Sequence, residues 1–264
     1  KNIVIKYNLE KGLEMIPKKI HYVWLGNASK PRSVIDCINS WKEKMPDYEI
    51  KCWDENVFDV NSVPWVKEAI SKGKWSLASD YIRHYAIYTE GGIYLDTDVK
   101  VFRPFDEFLN WDFFTSVEYH PQIYISSGRN CVDVDGHALK KGDVVEGCGL
   151  LAACFAAKKG NAFVKECLEY FGSRHFVKED GSLFIDIINP GIMATIATAY
   201  GFVYKDEDQL LENNMMIFNS SVFAGNPATR TKQSYCMHFC DGSWRDKSFF
   251  ERLKWEVKKF LKHR

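Results

Sequence analysis

The stretch Glu90-Gly91-Gly92-Ile93-Tyr94-Leu95-Asp96-Thr97-Asp98 constrains this chain more than any other. Residues 75–89 have the pattern of a helix, and the two glycines supply its C-terminal stop. A short apolar strand then runs into two carboxylates. Side chains alternate along an extended strand, which predicts Tyr94, Asp96 and Asp98 on one face and Ile93, Leu95 and Thr97 on the other. Two carboxylates held together repel unless a proton or a cation lies between them. Hard oxygen donors suit magnesium or manganese, ions that commonly bridge to substrate phosphates. The strand end therefore points to divalent-metal chemistry on a phosphate-bearing substrate. On the preceding helix, Asp80 and Arg83 are three residues apart and share a face. Ala78, Ile82 and Tyr85 form its apolar stripe, which predicts the charged pair near an edge.

Strand and helix signals alternate through the first hundred residues. Residues 16–24 alternate toward the break at Gly26, and 31–45 carry Val34, Ile35, Ile38 and Trp41 at helical spacing. A second strand is expected over 48–53, a short helix over 65–70 and the DXD strand over 93–98. Later, 113–119 reads as a strand, 122–143 as loop, 161–171 as a helix, and a further helix follows Asn189-Pro190-Gly191. This order predicts an α/β fold with a doubly wound, mostly parallel sheet, whose ligands sit at the carboxyl ends of the strands. No linker, repeat or low-complexity run divides 1–245, which is expected to be one catalytic domain.

Of the 264 residues, 46% are hydrophobic, enough for a sizeable core, and 35 basic residues balance 35 acidic ones. That balance provides no overall field for nucleic acid. Eight cysteines fall without a C-x-x-C pair, the pattern of reduced thiols in a cytoplasmic protein. No segment reads as a signal peptide or as a bilayer span.

Leu77-Ala78-Ser79-Asp80-Tyr81-Ile82-Arg83 leading to Gly91-Gly92-Ile93-Tyr94-Leu95-Asp96-Thr97-Asp98 resembles the DXD sugar-binding region of family 32 glycosyltransferases. These include Och1-like mannosyltransferases and bacterial capsule galactosyl- and glucosyltransferases, and the glucosylating clostridial toxins have a similar core. Ile16-Pro17-Lys18-Lys19-Ile20-His21-Tyr22-Val23-Trp24 and the late His238-Phe239-Cys240-Asp241-Gly242-Ser243-Trp244 fit the same pattern. The resemblance implies a GT-A fold with a Rossmann-like sheet flanked by helices. It also implies a nucleotide-sugar donor, Mn²⁺ or Mg²⁺, and transfer with retention at the anomeric carbon.

Carried onto this chain, the resemblance places Asp96 and Asp98 on the metal, with His238 completing the shell or touching a phosphate. Asp80 and Arg83 would bind the hydroxyls of the donor sugar. Trp24 would stack on the nucleotide base while Val23 offers backbone groups to its edge. Ser243 and Trp244 would cover the diphosphate. Each role has a plainer rival. Asp80 and Arg83 can be an ordinary helical ion pair, Trp24 a core residue and Tyr94 either a ribose or phosphate contact or simple packing. Cys236, His238 and Cys240 fall at i, i+2 and i+4, a spacing that also suits zinc, and His238 can be purely structural. Glu146 and Asp186 lie in segments that can border an acceptor, but no general base is assigned.

Residues 246–264 form a basic amphipathic helix pattern, with Phe249, Leu253, Val257 and Leu261 among many lysines. It suits peripheral contact with the inner face of a cell membrane, beside a lipid-linked oligosaccharide, or packing on the domain with a solvated basic side. The reading is a retaining hexosyltransferase for surface polysaccharide, with UDP-galactose or UDP-glucose as donor and a glycan hydroxyl as acceptor. A GDP-mannose-dependent mannosyltransferase, a metal-dependent phosphohydrolase and a carbohydrate-binding module are the alternatives.

Overall fold

The computed structural model describes residues 14–26 and 28–240. Ser243, Trp244 and the 246–264 helix pattern lie outside the described residues. In chain order, strand β1 (Lys19–Val23) leads to helix α1 (Arg32–Lys44), β2 (Glu49–Trp53), α2 (Pro64–Ser71), α3 (Trp75–Glu90), β3 (Gly92–Leu95) and β4 (Val99–Val101). Then follow β5 (Phe113–Tyr119), α4 (Pro121–Ser126), β6 (Cys148–Leu150), β7 (Cys154–Ala157), α5 (Ala162–Gly172) and α6 (Asn189–Ala197). The last strands are β8 (Gln209–Leu211), β9 (Met215–Phe218), β10 (Phe223–Ala224) and β11 (Cys236–His238).

The α/β architecture is the one expected. Eight strands form a sheet in the order β2-β1-β3-β7-β5-β9-β8, with β6 added to β5, while β10-β11-β4 form a smaller one. β2, β1 and β3 run parallel, as do β5 and β9; β7 runs antiparallel between β3 and β5. The sheet is thus mixed. β7 enters as a return strand from the β6 turn, a pairing that the loop-like composition of 122–147 conceals.

Alternation along the strands divides the core into two layers. Tyr94, Phe113 and Val117 face the layer of α3, α5 and α6, where Ile82, Ala86, Phe171 and Met193 are buried. Ile93, Leu95 and Phe114 face the other, filled by Ile38 and Trp41 of α1 and by Phe223. Ile35, expected in the α1 stripe, is 40% exposed, one residue off the buried face.

The joint between α3 and β3 depends on glycine. Gly91 caps α3 with φ +69°, its N–H donating to the Ile87 carbonyl, and Gly92 has φ +112°. A Cβ on Gly92 would lie 2.6 Å from the Lys19 carbonyl oxygen and 3.1 Å from His21 Nε2. His21 is itself fixed: Trp53 Nε1 donates to its Nδ1 at 2.9 Å, which leaves Nε2–H to donate to the Gly91 carbonyl at 2.8 Å. Burial pulls this imidazole down to about 4, against a smaller raising effect of the Gly91 bond, so it stays neutral. Gly92→Ala must therefore combine backbone strain with a backbone collision. We expect it to lose more than about 3 kcal/mol in urea denaturation. Gly160→Ala, also at positive φ but facing open space, should lose only about 1 kcal/mol.

Candidate active site

The register between β1 and β3 ends at His21 opposite Tyr94. Beyond that rung the two parallel strands open at their carboxyl ends, the place where an α/β sheet offers a crevice. β3 stops at Leu95, so Asp96 and Asp98 stand in the tight turn into β4 rather than on the strand. The strand-face argument therefore holds for residues 93–95, and a turn brings the two acids together. That turn is held by Asp96 N–H donating to the Ala153 carbonyl and Val99 N–H to the Asp96 carbonyl, both at 2.9 Å.

β11 lies antiparallel to β4, with His238 opposite Val99, and Phe239 N–H donates to the Asp98 carbonyl at 3.0 Å. This pairing carries His238 Nε2 to 3.2 Å from Asp98 Oδ1. Ligand atoms of Asp96, Asp98 and His238 all lie within 4.8 Å of one another, an arrangement that can hold a divalent ion. Among the described residues this is the one such cluster. The rival zinc set does not converge: Cys236 is fully buried, and Cys240 Sγ sits 3.4 Å from Nδ1, on the other side of the His238 ring. Burial disfavours the charged imidazolium, but the charge and hydrogen bond of Asp98 outweigh it and hold His238 well above the ordinary histidine range.

Asp80 and Arg83 are not at a helix edge. They are 6% and 5% exposed, which removes the surface-pair reading. α3 packs on the sheet so closely that these two polar residues enter the interior together. Arg83 distributes its donors over Ser79 Oγ (2.9 Å), the Ala152 carbonyl (2.9 Å), Asp80 Oδ1 (3.2 Å) and Asp96 Oδ2 (3.4 Å). Its guanidinium also lies 4.8 Å from the centre of the Tyr94 ring. One guanidinium thus couples Asp80 on the helix to Asp96 of the candidate metal cluster.

Tyr94, expected to pack or to touch ribose or phosphate, is 1% exposed, and its hydroxyl donates to Asp96 Oδ1 at 2.8 Å. It acts on the carboxylate and not on a ligand. Trp24 is half-buried beyond the end of β1; its indole N–H donates to the Ala28 carbonyl at 2.9 Å, and Lys30 Nζ stands 5.3 Å from its ring. Val23 forms the last rung with Trp53 of β2. Asp186 is exposed and paired with Lys178 at 2.5 Å, and Glu146 is exposed.

One buried partner escaped the sequence reading. Asn189, 3% exposed at the start of α6, donates from Nδ2 to Asp80 Oδ1 at 3.1 Å. No spacing links positions 80 and 189; the only signal is Asn-Pro-Gly, which marks a helix start. Among the described residues no hydrogen bond reaches Asp80 Oδ2. Burial raises the Asp80 carboxyl to about 6 despite the Arg83 charge, with Asp96 adding repulsion.

Residues 31–114 match the glycosyltransferase sugar-binding region containing a DXD motif. The family 32 resemblance read from residues 77–98 lies inside it. Inositol phosphoceramide mannosyltransferase 3 of Schizosaccharomyces pombe is 33% identical over 100 residues, 36% of this chain and 28% of its own length. The initiation-specific alpha-1,6-mannosyltransferase of Candida albicans is 27% identical over 104 residues, 36% of this chain and 27% of its own. The chain thus spans under a third of these curated relatives. Among solved structures, PaToxG glycosyltransferase is 16% identical, with a TM-score of 0.46 over 75% of this chain and 77% of its own. At that level the likeness transfers no residue roles.

The raised Asp80 carboxyl has a consequence for stability. The folded protein holds this proton more tightly than the unfolded chain, whose value is near 3.8, so ionisation costs stability as pH rises from about 4 past 6. Asp80→Asn removes that cost. Its unfolding free energy in urea should match the parent near pH 4 and exceed it above pH 6, by up to about 3 kcal/mol.

Proposed function

We propose that residues 1–245 act as one catalytic domain of a metal-dependent, retaining glycosyltransferase. It moves a hexose from a nucleotide-diphosphate sugar to a hydroxyl of a glycan or lipid-linked oligosaccharide in surface polysaccharide synthesis. The observation that carries this reading is the convergence of Asp96, Asp98 and His238 beside the buried Asp80–Arg83 pair, all but His238 lying within the matched DXD sugar-binding region.

The donor set is two carboxylates and an imidazole, which fits Mn²⁺ and, less closely, Mg²⁺. Bound there, such an ion supplies Lewis-acid stabilisation to a departing nucleotide diphosphate. The chain's own side chains do the rest. Tyr94 and Arg83 occupy one oxygen each of Asp96 and so fix its carboxylate plane. Arg83 carries the positive charge that lets Asp80 ionise in a buried setting. Asp80 Oδ2 would then accept from a sugar hydroxyl, while Arg83, whose hydrogens are met by Ser79, Asp80, Asp96 and Ala152, acts through the two carboxylates that it holds. Ala152 and Ala153, 3% exposed, take Arg83 and the Asp96 N–H through their carbonyls and exclude water beneath the pair. Trp24 and Val23, which follow the last β1–β3 rung, would meet the base. No side chain is assigned as general base.

UDP-galactose or UDP-glucose is the first reading of the donor. GDP-mannose is the second, favoured by the two relatives named as mannosyltransferases. No helix among the described residues is long and apolar enough to cross a membrane. A cytoplasmic enzyme that touches the membrane through 246–264 is the placement proposed.

Incubation with UDP-glucose, UDP-galactose and GDP-mannose, each with and without Mn²⁺, separates the alternatives. Metal-dependent release of nucleotide from one donor is expected. Phosphate release from simple esters would support a hydrolase, and binding with no turnover a carbohydrate-binding module. Asp98→Asn should cut turnover by about 100-fold or more while the circular dichroism spectrum stays unchanged. Full activity in that variant would defeat the proposed metal role.

A further inference from the structure

The mechanism above leaves unused a titratable side chain one residue from Arg83. His84 is fully buried on α3, and its Nε2 lies 3.2 Å from Asn189 Oδ1. Its Nδ1 is buried with no hydrogen-bond partner. The ring stacks on Phe171 at 5.9 Å and 17°, and lies 5.2 Å from Phe155. For packing alone a phenylalanine would serve better here, because an unmet ring nitrogen in the core is costly.

The protons along this line are determined by chemistry. An ionised Asp80 can only accept, so Asn189 must turn its Nδ2 toward it. Asn189 Oδ1 then faces His84, and a carbonyl oxygen requires a donor, so the His84 proton is on Nε2. That leaves Nδ1 as a lone pair among aromatic rings, and burial, which pulls this imidazole down to about 3, keeps it uncharged. His84 Nε2–H and the Asp80 carboxylate thus favour the same orientation of the Asn189 amide, and when Asp80 is protonated only the His84 donor still holds it. In the other orientation its oxygen would point at the Asp80 carboxylate.

We propose that His84 is a positioning residue for donor-sugar selection, holding the Asn189 amide in the one orientation that supports an ionised Asp80. It touches no substrate and acts through Asn189. The inference rests on the reading of Asp80 as the carboxylate that binds sugar hydroxyls. It also explains why an unpartnered ring nitrogen persists in an otherwise aromatic environment.

Two variants separate this role from packing. His84→Phe keeps the stack on Phe171 and removes both nitrogens, while His84→Gln returns an N–H donor. His84→Phe should be at least as stable as the parent in urea. It should raise KM for the productive donor among UDP-glucose, UDP-galactose and GDP-mannose about tenfold, the worth of one such hydrogen bond. Inhibition by free UDP or GDP should change less than twofold, and His84→Gln should recover the parent KM. An unchanged KM in His84→Phe, or a loss that His84→Gln does not recover, overturns the proposal. A readout independent of turnover is the tautomer, observed by long-range ¹H–¹⁵N correlation of the imidazole at pH 7. A proton on Nε2 is expected, and a proton on Nδ1 overturns the inference. Should no donor be turned over by the parent protein, the transferase reading fails, and the tautomer still decides whether His84 donates to Asn189.

Discussion

The site is organised around one buried cation, the guanidinium of Arg83. It lies between Asp80 on its own helix and Asp96 at the end of β3, with the Ala152 carbonyl and Ser79 taking its remaining hydrogens. Taking such a charge out of water is costly unless its hydrogen bonds are met. Here five acceptor atoms from three segments meet them, so the helix, the DXD turn and the β6–β7 turn are locked in mutual position. The neighbouring acids hold Arg83 above its already high ordinary value despite burial, so it is charged at any working pH. Its single charge answers two carboxylates, and Asp98 adds a third acid beside His238. That surplus of negative charge at one rim is what a divalent ion and its diphosphate ligand would complete.

Backbone geometry determines where this rim stands. The positive φ values of Gly91 and Gly92 let α3 turn back into β3 within two residues, with His21 filling the space that a side chain would take. β3 is consequently short, ending at Leu95, and its acids emerge where β1 and β3 part. β4 then returns only far enough to accept β11, which delivers His238 from the far end of the described chain. A residue 140 positions away in sequence thus arrives next to Asp98 through three rungs of antiparallel pairing.

The first hundred residues were legible because their signals are local. Helical spacing located α1 and α3, glycine located the stop, and two acids after an apolar strand located the cluster. Three features were not. The antiparallel insertion of β7 depends on a turn at 151–153 whose residues are small and apolar, with no turn composition to announce it. The burial of Asp80 and Arg83 depends on partners from other segments, Asn189 and Ala152, and helix periodicity alone puts a charged pair at an edge. The place of Asp96 and Asp98 in a turn, and not on the strand, depends on hydrogen bonds to residue 153. In the last two cases the deciding contact spans more than fifty residues, beyond what periodicity can register.

Unmet polar atoms separate function from mere packing in this core. Tyr48 Oη, Ser76 Oγ, His84 Nδ1 and Tyr204 Oη are the buried side-chain atoms without a partner among the described residues. Of these, only that of His84 belongs to a ring whose other nitrogen bonds to the network around Asp80. The same network contains a carboxyl raised to about 6 by burial. Two of these four atoms and the raised Asp80 carboxyl lie on α3, the helix whose Arg83 reaches the DXD turn. Elsewhere α3 follows ordinary rules, with Ile82, Ala86 and Ile87 buried among apolar neighbours. A helix that satisfies packing on most of its surface and departs from it on one stripe has that stripe under a different constraint. Consistency across levels is expected to fail at sites that must bind. By that physical criterion, and independently of the DXD match, the stripe carrying Asp80, Arg83 and His84 is the part of α3 that packing alone does not explain, which supports the ligand site proposed for it.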